Sequence, residues 1–264
     1  MASIESAGSR SERAAALLAR DRREGRAFAG FADDERPHDS GEAYAIQAAL
    51  HVLLGDEQAG WKIGCTTPTM QEYLGIHEPA AGHIRDASVQ SGAGRVTHAD
   101  LRRPGVECEL AVRLAHDLTA GREPCDRASA RAAIGSVMAA IEIVDDRYAD
   151  WRALDAATLT ADDFFGAGAI LGREDVPWRD LDLGRVEATM SINGREVGSG
   201  IGADILGDPL AALVWLANGP ARETGLRAGS IVLLGSLVQT HWVEPGDVVT
   251  IDNVPFGSVS VAFD

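Results

Sequence analysis

Two glutamates flank a cysteine in the segment Val106-Glu107-Cys108-Glu109-Leu110-Ala111-Val112. Polar and apolar residues alternate there, which is the period of a strand with every second side chain on one face. Val106, Cys108, Leu110, Val112 and Leu114 then enter a core. Glu107 and Glu109 leave the opposite face together, with Cα atoms about 6.6 Å apart. Carboxylates at that spacing can converge on a divalent cation. A strand with one wet face gives the same pattern, and Arg113 fits that simpler account. A third glutamate shifts the balance. Glu142 sits inside the apolar run Ile141-Glu142-Ile143-Val144, and a buried carboxylate must be protonated, ion-paired or metal-bound. Three oxygen donors suit Mg²⁺ or Mn²⁺ better than Zn²⁺ and leave about half of an octahedron for water and substrate.

Such a centre keeps a net negative charge, so an anionic substrate would need a cation beside it. Of the 24 basic residues, 23 are arginine and one is lysine, Lys62. An ammonium is compact and can titrate, whereas a guanidinium is broad and stays charged. The lone lysine therefore marks a position where arginine will not serve. An arginine-biased composition would also leave one lysine by chance. From the residues alone the reading is a hard-metal site, one special lysine and a small, acidic, oxygenated substrate.

These groups must be positioned by short strands. Trp61 to Cys65 and Val106 to Leu114 read as strands, and Ala140 to Val144 as a third that continues a helix over Asp126 to Ala140. Thr67 caps a short helix over Pro68 to Leu74. Asn193-Gly194 turns a hairpin over Arg185 to Ile201. A helix over Asp208 to Asn218 stops at Gly219-Pro220. Ser230 to Leu234, Asp247 to Ile251 and Ser258 to Phe263 complete the strands, and His241-Trp242 reads as loop before a Pro-Gly turn. Asp145 and Asp146 follow Glu142 and read as caps, as groups standing behind the metal ligands, or as a solvated strand end. Ahead of the strands, Ser9 and Glu12 form a capping box for a helix to about Arg23. Asp39 and Glu42 form a second box for a helix over Glu42 to Leu54, with Tyr44, Ile46, Ala49, Leu50 and Leu53 on one side. The expected fold is α+β: a mixed β-roll or barrel-like core with flanking helices, and a helical arm over residues 1–58 ahead of a body over 59–264.

Composition narrows the function. The chain has 264 residues, 45% hydrophobic and 24% charged, so a globular core is expected rather than disorder. The start MASIESAGSR lacks a secretory h-region, and no apolar run reaches the ~20 residues of a membrane helix. Cys65, Cys108 and Cys125 are an odd number without a CxxC pair, which fits a reducing cytoplasm. A net charge of −16 repels a phosphate backbone. No G-x-G-x-x-G opens a helix after a strand and there is no P-loop, so nucleotide cofactors lack support. The expected partners are a small anion, neither nucleic acid nor membrane.

At these residues the chain resembles the 2-keto-4-pentenoate hydratase and 4-oxalocrotonate decarboxylase family, within the fumarylacetoacetase-like superfamily. The resemblance runs through Gly60 to Gly75 (GWKIGCTTPTMQEYLG), Glu78 to Gly82 (EPAAG), Val106 to Leu110 (VECEL), Ala139 to Trp151 (AAIEIVDDRYADW) and Gly235 to Val249 (GSLVQTHWVEPGDVV). It implies a fumarylacetoacetase-like catalytic domain over residues 59–264. It implies Mg²⁺ or Mn²⁺ on Glu107, Glu109 and Glu142, and substrate contacts from Lys62, Ile63 and Ser236, with Lys62 also catalytic. The ion would chelate the C1 carboxylate and C2 oxygen of a 2-hydroxy-2,4-dienoate, and water would add at C4 to give a 4-hydroxy-2-oxo acid. The same enolate stabilisation serves decarboxylation or C–C hydrolysis. A homo-oligomer in a catabolic pathway is also implied. Two departures stand out. Ala80 and Ala81 replace the acidic segment after Glu-Pro, leaving Asp86, His83 or His77 as substitutes for its acid. Asp162-Asp163-Phe164-Phe165 stands where Asn and Ser are common, which points to a more apolar or smaller pocket. Ala80 also keeps open a non-catalytic subunit that binds metal and oxo acid beside an active paralogue.

Overall fold

A computed structural model describes residues 9–55 and 57–264. In chain order the elements are α1 (Arg10–Arg23), α2 (Ser40–Leu54), β1 (Gln58–Gly64), α3 (Pro68–Leu74), β2 (Ala80–Arg85), β3 (Val89–Ser91), β4 (Ala93–Val96) and β5 (Pro104–Leu114). They continue with α4 (Arg127–Ala133), β6 (Ile134–Asp145), α5 (Ala156–Ala161), β7 (Gly166–Leu171), β8 (Glu187–Ile192), β9 (Arg195–Ile201), α6 (Pro209–Asn218), β10 (Ile231–Trp242), β11 (Val248–Val254) and β12 (Gly257–Phe263).

The strands form two mixed sheets. One has the order β2-β1-β10-β5-β6-β7-β3 and the other β4-β12-β11-β8-β9. The sheets do not close into a barrel. Their facing sides share one apolar core, in which Cys108, Leu110 and Ile141 of the first sheet meet Ile251, Val261 and Phe263 of the second. The alternation over 106–114 has the expected parity: Val106, Cys108, Leu110 and Val112 are fully buried.

α1 and α2 pack with α5 in a separate apolar cluster that also holds Cys65, Ala80, Tyr148 and Phe164. Ser9 and Glu12 form the capping box reciprocally. At α2 the second box is incomplete: Asp39 accepts from the Glu42 N–H, but the Glu42 carboxylate turns back to the His38 N–H. Its inward face also differs from the expected one. Leu53 is 42% exposed, whereas Gln47 and His51 are buried.

Three further expectations are corrected. The helix from Asp126 ends at Ala133, and Ile134 already pairs with Leu114 of β5. The run Val137 to Val144 is buried on both faces between β5 and β7, so β-branched packing outweighs the helical start. His241 and Trp242 belong to β10, paired with Val106 and Gly105, not to a loop. The solvated reading of Asp145 and Asp146 fails because both are buried, while the capping reading agrees with Asp145 accepting the N–H groups of Arg102 and Arg103.

Candidate active site

β5 and β6 are antiparallel neighbours in a register that sets Glu107 directly opposite Glu142 and Glu109 opposite Ala140. Carboxylate oxygens of Glu107, Glu109 and Glu142 all lie within 4.8 Å of one another. Glu109 and Glu142 are fully buried and Glu107 is half-buried. Like charges opposite each other in a sheet repel, and burial penalises each charge further. Burial first, then repulsion from Glu142 and Glu107, raises the Glu109 carboxyl well above the usual range. Burial likewise pushes Glu142 up to about 7, with Lys62 pulling the other way. Glu109 Oε1 and Glu142 Oε2 are buried without a hydrogen-bond partner. A divalent cation would relieve the repulsion and use both orphaned oxygens, so the donor set fits a hard metal.

Two of the other oxygens are held by β10. The Gly235 N–H donates to Glu109 Oε2 at 2.7 Å. That approach requires glycine: φ is +135°, and a Cβ would fall 2.6 Å from Thr66 Oγ1. The Thr240 hydroxyl donates to Glu107 Oε1.

Lys62 reaches the same cluster from β1, where it pairs with Leu233 of β10 and Gly82 of β2. It is 3% exposed. Its Nζ lies 3.0 Å from Glu142 Oε1 and 5.1 Å from the Phe164 ring centroid. Burial alone would depress its pKa, but attraction to Glu142 and Glu107 outweighs it, and the net direction is upward. The group is therefore an ammonium at neutral pH. Ser236 pairs with Glu109 and donates its hydroxyl to the Val238 carbonyl at 2.6 Å. Ile63 takes the other face of β1. Strand parity buries its side chain completely in the main core, and it does not line the cleft.

The cleft above these groups has a volume of about 650 Å³. Lys62, Glu107 and Ser236 line part of it, and Phe164, Phe165, Trp151 and Leu74 line another. Ala80 is buried in the same apolar cluster as Phe164. Of the three substitutes for an acid there, His77 and Asp86 are exposed and do not line the cleft. His83 instead shares a much smaller hollow with Lys62 and Glu142. Its Nδ1 is buried without a partner, and burial pushes its pKa down to about 4, so the ring is neutral.

One buried cluster was not anticipated. Asp163 accepts from Arg22 at 2.9 Å, from His51 Nε2 at 2.9 Å and from the His83 N–H at 3.0 Å. Burial opposes its charge, but Arg22 and then His51 hold the carboxyl well below the usual range. The available signal was Gln47 and His51 at i and i+4 after Ala43, a polar stripe on the inward face of α2.

The family pattern of the fumarylacetoacetate (FAA) hydrolase C-terminal region matches residues 69–262. The chain is 38% identical over 255 residues to a 2-keto-4-pentenoate hydratase of Burkholderia vietnamiensis (strain G4 / LMG 22486), covering 94% of this chain and 95% of the relative. It is 34% identical over 257 residues to a 2-keto-4-pentenoate hydratase of Paraburkholderia xenovorans (strain LB400), covering 96% and 94%. Among solved structures, 4-oxalocrotonate decarboxylase from Pseudomonas putida G7, complexed with magnesium and adipate, superposes with a TM-score of 0.88 at 26% identity, covering 96% of this chain and 97% of that one. With the pattern spanning most of the chain and these relatives nearly all of it, the protein belongs to the fumarylacetoacetate hydrolase C-terminal family.

Proposed function

We propose that the chain is a metal-dependent hydro-lyase that hydrates a 2-hydroxy-2,4-dienoate to a 4-hydroxy-2-oxo acid. The observation that carries this reading is the convergence of Glu107, Glu109 and Glu142, with orphaned oxygens, beside the Lys62 ammonium at the edge of the cleft. Glu107, Glu109 and Glu142 would hold Mg²⁺ or Mn²⁺. When bound, the ion supplies Lewis-acid stabilisation of negative charge on the substrate's C2 oxygen.

The chain's own residues do the rest. The Gly235 N–H and the Thr240 hydroxyl fix the orientation of Glu109 and Glu107. Lys62, charged and buried, meets the substrate carboxylate and offsets the surplus negative charge of the three glutamates. Its Nζ proton is available to a developing carbanion on the dienoate, while Glu142 keeps the amine in place. Ser236 lines the cleft beside Glu109, with its oxygen free to accept from a substrate hydroxyl. Phe164 and Phe165 give the cleft an apolar wall against which the hydrocarbon part of the substrate can lie.

The likeness to a 4-oxalocrotonate decarboxylase supports a second reading, loss of CO₂ from an oxo acid over the same centre. Purified protein with Mg²⁺ and 2-hydroxypenta-2,4-dienoate should yield the 4-hydroxy-2-oxo acid. Release of CO₂ from a dicarboxylic oxo acid, without hydration, would favour the second reading. Failure of the protein alone to turn over either substrate would favour a non-catalytic binding subunit.

We further place the protein in the cytoplasm as a homo-oligomer. Among the described residues all three cysteines are free thiols, and no helix is long and apolar enough to cross a membrane. Val52 and Leu53 stand 81% and 42% exposed side by side on α2, an apolar surface a second copy would cover. Light scattering should give a mass at least double the 27.8 kDa of one chain.

A further inference from the structure

The cleft is larger than a five-carbon acid requires. Such an acid has about eight non-hydrogen atoms. Even at the ~30 Å³ that a liquid water occupies, it would fill roughly 240 Å³. The cleft offers about 650 Å³. Among the described lining residues Lys62 is the sole basic side chain, and Glu107 and Asp204 are acidic.

An aromatic series leads away from the ammonium. Phe164 lies 5.1 Å from Lys62 Nζ, Phe165 lies 5.7 Å from Phe164, Trp151 lies 5.7 Å from Phe165, and Tyr73 lies 5.9 Å from Trp151, ring centroid to ring centroid. Tyr73 is 58% exposed, so the series runs from the buried charge towards solvent.

The backbone that aims these rings is strained. Asp163, Phe164 and Phe165 have φ of +59°, +47° and +67°, three consecutive left-handed residues without a glycine. Each costs on the order of 1–2 kcal/mol. The turn is pinned from behind by Arg22 and His51 on Asp163, and by Arg147, which donates to the Phe165 carbonyl at 2.9 Å. Gly82 lets β2 approach it closely, since a Cβ there would meet the Asp163 carbonyl oxygen at 2.4 Å. On the near side, Gly64 leaves room for Phe164, since a Cβ there would meet the ring at 3.0 Å.

We propose that this cleft selects a monocarboxylic oxo acid bearing a bulky apolar group at the end remote from the carboxylate, with Phe164, Phe165 and Trp151 as the residues that set that preference. The proposal rests on the site described above binding the oxo-acid end of its substrate. A dicarboxylic acid is disfavoured because its second carboxylate would be desolvated against aromatic rings with no second basic side chain among the described lining residues. The guanidiniums of Arg152 and Arg103 stack on Trp151 and Trp242 and do not themselves line the cleft.

The test is calorimetric binding of non-reacting 2-oxo acids to the Mn²⁺-loaded protein: pyruvate, 2-oxobutanoate, 2-oxohexanoate, 2-oxooctanoate and 2-oxoadipate. Affinity should rise roughly three- to fourfold per added methylene, and 2-oxoadipate should bind more weakly than 2-oxohexanoate of equal carbon number. In Phe165→Ala the ratio of 2-oxooctanoate to pyruvate affinity should fall at least about fivefold. Because this ratio is internal to one protein, a change in the folded fraction does not alter it. A flat series in the wild type, or tighter binding of 2-oxoadipate than of 2-oxohexanoate, would overturn the proposal. Absence of pyruvate binding would overturn both this proposal and the hydratase reading. A rising series with no turnover of any dienoate would support the preference and remove the hydratase reading alone.

Discussion

Lys62 shows why a lone residue type can matter. Its ammonium is wedged 3.0 Å from Glu142 and is 3% exposed, so a guanidinium has neither the space nor the single-point geometry to replace it. Lys62→Arg should lose at least ~100-fold in kcat/KM, about 2.7 kcal/mol of barrier, and Lys62→Met at least as much. Steady-state kinetics at saturating Mn²⁺ checks this, with kcat falling more than KM rises. An arginine variant within about threefold of wild type would show that charge alone is needed. The glutamates predict a pH effect on the metal. With Glu142 raised to about 7 and Glu109 raised as well, the metal-free chain holds protons there near neutrality. Metal binding must expel them, so affinity climbs with pH. Between pH 6 and 8 the Mn²⁺ affinity should rise by roughly tenfold or more, measured by titration. Glu142→Gln should lose most of the affinity and part of this pH dependence, the remainder coming from Glu109, which burial still raises.

At the scale of elements, the site depends on how α1 is fastened to the 163–165 turn. Arg22, at the end of α1, reaches Asp162 as well as Asp163, both of them buried. Arg22→Ala would leave two buried carboxylates short of their partner, at a cost of about 3–5 kcal/mol. Equilibrium urea unfolding should show this loss at pH 7. Asp163 is depressed in the folded chain, so its contribution is present above the unfolded value of ~3.9 and disappears as pH falls towards its folded value. The gap between wild type and Arg22→Ala should therefore be widest near neutrality and narrow below about pH 4. An equal gap at both ends would mean that Arg22 acts by packing alone. The same variant should weaken the chain-length preference of the cleft, because the strained turn would lose one of its anchors.

The whole molecule presents a different difficulty. A net charge of −16 repels an anionic substrate before it meets Lys62. Salt shortens the range of that field, with a Debye length of about 30 Å at 0.01 M and about 8 Å at 0.15 M. KM should fall as ionic strength rises across that interval with an inert salt, while kcat stays level. The buried Lys62–Glu142 contact is shielded from the same screening. A KM that rises with salt would indicate instead that a positive surface patch guides the substrate inward.

Some of this could be read directly from the amino-acid order. Strand parity over 106–114 follows from a two-residue period, so it separated Cys108 in the core from Glu107 and Glu109 on the opposite face. The capping residues Ser9 and Thr67 and the Asn193-Gly194 turn act over three or four residues, and each marked its element. What depended on distant contacts was decided by the tertiary structure. The helix ending at Ala133 stops because β5 and β7 enclose the following run. Ile63 and Lys62 are neighbours in sequence, yet strand alternation sends one to the core and the other to the cleft. The direction of the Lys62 pKa is a contest between burial and three carboxylates from other strands, and only their distances resolve it. The Asp163 cluster joins residues 22, 51, 83 and 163. No local pattern links positions so far apart, because hydrogen bonds and ion pairs act through space and not along the chain.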